Sequence, residues 1–461
     1  MNKSFKEYLL LPYILHMRIV IAGAGEVGFY LANLLSNESH DIILIEDNPK
    51  ILIRVQNELD VIGLKGDACS IRILKQAEVE SADLLIAVTS SEKTNFMVAT
   101  IGKQLGVKRT IVRVNNTEFL DPKCSIDFKQ LGIDVMISPE ELAAKEIWRL
   151  VRRSAFTDSF EFEMGKLLLV GINLDSHAPV VNRTIKEAAA LNPDMNFIPI
   201  GIQRDGVTMV PRGDTTFMFG DHIYFLSLPA GLDEIINLTG KEDRRIKNVM
   251  MLGGGKVGLN AINKIRKRRK IKLIEQDQER CMAIADKFSD VLVINSDGHD
   301  VRVLEQENIG EMDAYIAVTG NSETNIMSCL MAKAHGVKKT IALVENMDYI
   351  NLSQTIGIDT LINKKLIAAN NIFRYVRQGD VISIAAVHGL DAEVLEFNVT
   401  AKSKITRSPV KDLNFPKKAI IGGILRNGVA KIIGGDDQIQ ADDKVVVLSE
   451  HSVIKEVEKY F

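Results

Sequence analysis

The stretch Ile21–Gly28, IAGAGEVG, returns as MLGGGKVG at Met251–Gly258, and both copies carry glycines in the Gly-x-Gly-x-x-Gly spacing. The correspondence continues past the loops. IAVTSSEKTN (Ile86–Asn95) faces IAVTGNSETN (Ile316–Asn325), and GVKRTI (Gly106–Ile111) faces GVKKTI (Gly336–Ile341). Met251 against Ile21, Ile316 against Ile86 and Gly336 against Gly106 all keep one offset of 230 positions. Two halves built on one framework are therefore expected, each a supersecondary design used twice.

Around each loop the pattern is strand, glycine turn, helix, strand. In the first half the helix runs from Gly28 to about Ser36 and the second strand over Asp41–Ile45; residues 248–274 repeat the unit. Short β-rich runs then alternate with helical stretches, such as LLIAV before the helix containing Thr94, which predicts a doubly wound parallel sheet of the Rossmann kind in each half. A second, smaller repeat follows. Phe197–Ser227 corresponds to Ala419–Ser449, with Gly206/Gly428, Asp214/Asp436 and Asp221/Asp443 each 222 positions apart. Alternating apolar residues broken by Arg-Asp-Gly and Arg-Asn-Gly predict hairpins with tight turns in a small α+β module. The expected order is an extension (1–16), a Rossmann-like domain (17–140), a small module (155–240), a second Rossmann-like domain (246–370) and a second small module (380–461), with a charged linker at Lys241–Arg245.

A chain of 461 residues with 46% hydrophobic and 25% charged residues is expected to fold as several globular domains. Its formal net charge of −3 leaves no surplus of cations for a run of nucleic-acid phosphates. The densest basic run, Arg266–Lys270, falls at a helix end, where cations meet the helix dipole and water. Cys69, Cys124, Cys281 and Cys329 show neither close pairing nor metal-ligand spacing, which fits a reducing cytosol. No stretch offers the ~20 apolar residues needed to cross a bilayer. The first sixteen residues resemble a secretion signal superficially but lack a cleavage site, so Met17 is expected close to the functional start.

A glycine loop between strand and helix lets backbone N–H groups approach a pyrophosphate at a helix N-terminus. Glu46 and Glu275 end the second strands about 20 residues after the glycines, placed to accept ribose hydroxyls and to repel a 2′-phosphate. Asp47 and Asp277 fit helix initiation or a solvated surface better than ligand contact. Gly66-Asp67, Ser296-Asp297, Thr89 and Thr319 fall at carboxyl ends of later strands, where ligands sit in such sheets. The pairs Thr94-Asn95 and Thr324-Asn325 fit helix capping better than ligand contact. The loops differ in charge, with Glu26 facing Lys256 and Arg113 facing Leu343. Lys256 could reach a phosphate directly, whereas Glu26 disfavours a third phosphate unless Arg113 offsets it; two sites of unequal nucleotide preference are expected.

No catalytic residue stands out. His40, His177, His222, His299, His335, His388 and His451 have no counterpart in the other half and His16 lies in the extension, so satisfied or surface histidines are expected. Walker loop, nucleophile elbow, kinase signature and paired zinc ligands are missing. A soluble NAD-dependent oxidoreductase is the alternative reading, opposed by the lack of a substrate domain; duplicated pockets without duplicated chemistry favour sensing.

GAGEVG, LIED, GDA and IAVT with Thr-Asn downstream, then a small βα module, all doubled, closely resemble the RCK (KTN) regulators of potassium conductance over nearly everything from Met17 to Phe461. The resemblance implies a cytoplasmic protein, peripheral on the inner face of the membrane, that docks as a homotetramer under a potassium-translocating subunit of the TrkH/TrkG type. It implies NAD (NADH or NAD⁺) or ATP/ADP at the Rossmann loops. The contacts it implies are Gly23, Ala24, Gly25, Glu26, Val27, Gly28, Glu46, Asp67, Thr89, Ser90 and Arg113 in the first half. In the second they are Gly253, Gly254, Gly255, Lys256, Val257, Gly258, Glu275, Asp297, Thr319 and Gly320. Leu343 departs from the arginine of the first half. Neither a metal site nor an enzymatic reaction is expected.

Overall fold

The computed structural model describes residues 17–36, 40–121, 123–241, 245–298, 300–346, 349, 357–376, 381–386 and 390–461. The extension 1–16, His16, His299, His388 and most of the charged linker lie outside the described residues.

The first half opens with β1 (Arg18–Ala22), α1 (Glu26–Ser36), β2 (Asp41–Glu46), α2 (Pro49–Glu58), β3 (Ile62–Lys65), α3 (Ile71–Gln76), β4 (Leu84–Ala87), α4 (Glu92–Leu105), β5 (Arg109–Arg113) and β6 (Val135–Ile137). The strands form one parallel sheet in the order β3-β2-β1-β4-β5-β6. This doubly wound order reverses between β1 and β4, which opens a crevice at their carboxyl ends. Ile19–Ala22 and all of β4 are buried, as strands covered by helices on both faces must be.

The chain continues through α5 (Pro139–Arg152), β7 (Asp158–Phe162), β8 (Leu167–Asn173), α6 (Ile185–Ala189), β9 (Phe197–Arg204), β10 (Val207–Met209), β11 (His222–Ser227) and α7 (Leu232–Leu238). The five strands of this module form a sheet in the order β10-β9-β11-β8-β7, antiparallel throughout. The turn between β9 and β10 holds Asp205 at φ 49° and Gly206 at φ 77°, the two left-handed positions that a tight two-residue hairpin requires.

The second half repeats both parts. Its Rossmann-like region comprises β12 (Asn248–Leu252), α8 (Lys256–Ile265), β13 (Lys270–Glu275), α9 (Gln278–Lys287), β14 (Val291–Asn295), α10 (Val301–Gln306), β15 (Ala314–Ala317), α11 (Ser322–Ala334), β16 (Lys339–Leu343) and β17 (Thr360–Ile362). The strand order β14-β13-β12-β15-β16-β17 matches the first sheet position by position. Then come α12 (Lys364–Val376), β18 (Val381–Ala386), β19 (Ala392–Asn398), β20 (Ala419–Arg426), β21 (Val429–Ile432), β22 (Lys444–Glu450) and α13 (Ile454–Glu458). The last sheet runs β18-β19-β22-β20-β21.

The chain divides into two compact units. One joins residues 1–139 with 365–378, and the other takes 140–364 with 379–461. In the first unit α12 packs on the first Rossmann sheet: Lys365 pairs with Glu26 at 2.8 Å, and Arg109 lies over the Tyr375 ring at 6.0 Å. In the second unit α5 packs on the second sheet, where Glu141 pairs with Lys264 and the Arg269 guanidinium donates to the Val151 carbonyl. Each sheet thus carries the helix that follows the other. Within the second unit the two small modules share one core, built from Phe162, Ile200 and Leu226 of the first and Leu390, Val394 and Leu448 of the second.

Candidate functional site

Two crevices take shape from the glycine loops. In the first, the Gly23 N–H donates to the Ile45 carbonyl at 2.9 Å, which ties the loop to β2. A Cβ on Gly23, at φ 101°, would meet the Thr89 backbone nitrogen at 2.9 Å, and one on Gly28 would stand 1.9 Å from the Gly23 carbonyl oxygen. The second loop repeats this: Gly253 sits at φ 104° against Thr319, and a Cβ on Gly258 would come 2.2 Å from the Gly253 oxygen. Packing alone therefore requires four of these glycines.

It does not require Gly25 or Gly255. Neither has a positive φ, and a Cβ added at either would find nothing within 4 Å. Both precede a helix, and the first helical bonds are Phe29 N–H to the Gly25 carbonyl and Leu259 N–H to the Gly255 carbonyl. The N–H groups of Glu26, Val27 and Gly28, and of Lys256, Val257 and Gly258, are the open donors of those helix ends. The Val27 and Val257 side chains are buried in the core, so these residues present backbone to the crevice.

Glu46 and Glu275 are buried beside the loops. The Ala24 N–H donates to Glu46 Oε2 at 2.7 Å and the Asn48 N–H to Oε1 at 3.0 Å. In the second half the Gly254 and Asp277 N–H groups do the same to Glu275, and Arg280 approaches its Oε2 at 3.4 Å. Each carboxylate thus shapes its loop; with about four lone-pair positions it keeps capacity for hydroxyl donors.

The Thr-Asn pairs do not cap their helices. The caps are Ser91 and Asn321, whose side chains accept from the Thr94 and Thr324 N–H groups. Asn95 and Asn325 lie four positions past these caps, wholly buried. Asn95 Oδ1 accepts from the Thr89 N–H at 2.9 Å and hydroxyl at 2.7 Å, while its Nδ2 donates to the Thr89 and Arg113 carbonyls. Asn325 makes the same clamp on Thr319 and Leu343. The capping position and the clamp position are both polar in sequence, and only the fold tells them apart. Asp277 does initiate α9, whereas Asn48, not the exposed Asp47, caps α2.

Ser90 and Gly320 sit exposed on the loops after β4 and β15, and Asp67 and Asp297 are exposed after β3 and β14. Asp67 turns its own loop by accepting from the Cys69 N–H at 2.9 Å. Arg113 ends β5, half-buried. A residue that sequence reading missed is Lys365, whose ammonium meets the Glu26 carboxylate of the first loop. Two lysines opening a helix carry no signal of which loop they face. Lys256 stays exposed at the start of α8.

Two of the histidines have side-chain partners: His222 lies 2.7 Å from the Thr157 hydroxyl, and His451 pairs with Asp391 and Glu393. Among the described residues no group of His, Cys, Asp or Glu side chains could hold a metal ion, and no helix is long and apolar enough to cross a membrane.

Family models for the TrkA-N domain match residues 19–139 and 249–364, and those for the TrkA-C domain match 169–240 and 394–461. The chain belongs to the TrkA family. This TrkA-family chain is 32% identical over 446 residues to a Trk system potassium uptake protein TrkA homolog of Archaeoglobus fulgidus, covering 96% of this chain and all of the relative. It is 31% identical to the Trk system potassium uptake protein TrkA of Haemophilus influenzae, over 96% of this chain and 98% of the relative. Among solved structures it is similar in fold to the GsuK RCK domain (TM-score 0.62, 15% identity, 98% of this chain and 96% of that one). It is likewise similar to the GsuK channel bound to NAD (TM-score 0.61, 15% identity, 98% and 80%). TrkA-family proteins are regulatory subunits rather than enzymes, which removes the oxidoreductase alternative.

Proposed function

We propose that the chain is the nucleotide-sensing regulatory subunit of a Trk-type potassium uptake system, binding NAD(H) or ATP/ADP in the two Rossmann crevices. It controls a membrane potassium-translocating subunit of the TrkH/TrkG type from the cytoplasmic side, as a homotetramer. The observation that carries the ligand reading is the pair Gly25 and Gly255: neither backbone conformation nor packing calls for glycine there. A diphosphate laid against the open N–H groups of the helix would call for it. The names of the relatives and the GsuK channels bound to NAD and to ADP support the same reading.

The residues fit such a ligand. Gly23–Gly28 and Gly253–Gly258 supply backbone donors, and Glu46 and Glu275 accept from unmodified ribose hydroxyls. Thr89, Ser90, Asp67 and Arg113 complete the first crevice; Thr319, Gly320 and Asp297 complete the second. The two differ in where their cation comes from. In the first, Lys365 reaches Glu26 from α12, so a phosphate there competes with Glu26 for Lys365 and bears on a helix that leads to the second small module. In the second, Lys256 belongs to the loop itself. A differential affinity of about 1–3 kcal/mol between two arrangements suffices for regulation.

Potassium flux through a reconstituted translocating subunit, measured with the chain and NADH, NAD⁺, ATP or ADP, tests this. Flux is expected to change with at least one ligand and to become indifferent to all four in the Gly25→Glu/Gly255→Glu double variant. Flux that ignores every ligand with the unaltered chain contradicts it.

A further inference from the structure

The second unit holds a cavity that neither crevice uses. It has a volume of ≈ 470 Å³ and lies between α5 and the first small module. One wall is cationic. Lys145 and Arg149, four residues apart, share one face of α5, Arg153 follows just past its end, and Arg152 lies over the Trp148 ring at 5.4 Å. The opposite wall is apolar, formed by Phe156, Leu168, Val170, Pro229 and Leu232.

Four cations, Lys145, Arg149, Arg152 and Arg153, line the cavity together with the carboxylate of Glu161. Arg149 stands 3.2 Å from Glu146 and 3.7 Å from Glu161, its side chain is only 17% exposed, and its Nε has no hydrogen-bond partner. Arg153 bonds to Asp233, whose side chain is 81% exposed.

The fold does not demand these cations. Residues 360–376 repeat 135–151 at an offset of 225, and by that register Lys145, Trp148, Arg149, Arg152 and Arg153 correspond to Asn370, Phe373, Arg374, Arg377 and Gln378. The helix keeps its place in the second half with two of the four cations replaced by amides. Guanidinium groups match phosphate oxygens in pairs, and an indole beside an apolar wall accepts a flat ring. The volume falls within the range of small-molecule pockets.

We propose that this cavity is a binding site for a nucleoside phosphate, separate from both glycine loops, with Lys145, Arg149 and Arg153 on the phosphates and Trp148 against the base. Trp148 is the chain's single tryptophan, so its emission reports on this site. The full-length chain is titrated with ADP and with sodium pyrophosphate. ADP produces a saturable change in Trp148 emission, at lower concentration than pyrophosphate, and the change persists in the Gly25→Glu/Gly255→Glu variant. Arg149→Gln weakens the ADP response about tenfold or more, the loss of a charge-assisted bond. Lys145 is exposed, so Lys145→Gln keeps the fold and weakens the response several-fold. An emission unmoved by millimolar ADP overturns the proposal. So does a response that vanishes in the glycine-loop variant while surviving Arg149→Gln and Lys145→Gln. Equal potency of pyrophosphate and ADP overturns the role of Trp148.

Discussion

Two glycines three positions apart meet opposite fates on substitution. A Cβ at Gly28 would press to 1.9 Å on the Gly23 carbonyl, so Gly28→Ala is expected to cost about 2 kcal/mol or more, read as a lowered urea midpoint. Gly25→Ala meets open space; its stability stays within about 0.5 kcal/mol while nucleotide binding weakens. Equal stability loss at both would mean that the loop is shaped for packing alone. Lys339 gives a pH signature. Wholly buried, it donates to the Phe156 carbonyl at 2.7 Å, and burial pushes its ammonium down to about 8, despite the pull of Asp359 and Asp158. The unfolded chain binds this proton more readily, so its contribution makes stability rise as pH climbs from about 8 towards the ordinary lysine value near 10.4. Denaturant melts across that window, compared with Lys339→Met, check the sign: the variant loses the rise. A rise of the same size in the variant would assign it to other groups.

At the scale of elements, one repeated aspartate pair of the small modules, Asp221 and Asp443, proves structural. Arg204 grips Asp221 through Nε and Nη2 at 2.7 and 2.8 Å, and Arg426 grips Asp443 the same way. Both carboxylates are buried, and each also accepts a backbone N–H, from Met218 or from Gln440. Asp443→Ala is expected to cost about 2 kcal/mol, discounted for an arginine that is 35% exposed, and thermal unfolding measures it. Asn95→Ala, which strips the clamp from Thr89 and Arg113, is expected to cost at least as much and to loosen the crevice. Strand, loop and hairpin were all legible in the sequence, because periodicity and turn chemistry are local: Asp205-Gly206 and Asn427-Gly428 take the left-handed pair that their hairpins need. Asn95 was not. A buried clamp and a helix cap both ask for a short polar side chain near a helix start, and only the position of β5 decides between them.

For the whole molecule, what the sequence withheld is partnership. The apolar strands β11 and β22 are buried almost throughout, and no local signal names the cover of one face, which turns out to be the other module, with Gly201 meeting Leu390 and Leu448, and Gly422 meeting Ile200 and Leu226. Likewise, no local signal sends α12 to the first Rossmann sheet or sets Lys365 against Glu26. Truncating Leu448, buried in that shared core, to alanine is expected to cost about 2–5 kcal/mol and to lower amide protection in both small modules together, not in one. The duplicated crevices remain the centre of the account, and calorimetry reaches them most directly. Titrating the full-length chain with NADH, NAD⁺, ATP and ADP is predicted to resolve two binding events at the glycine loops, one lost in Gly25→Glu and the other in Gly255→Glu. No heat with any of the four, or heats indifferent to both substitutions, would contradict it.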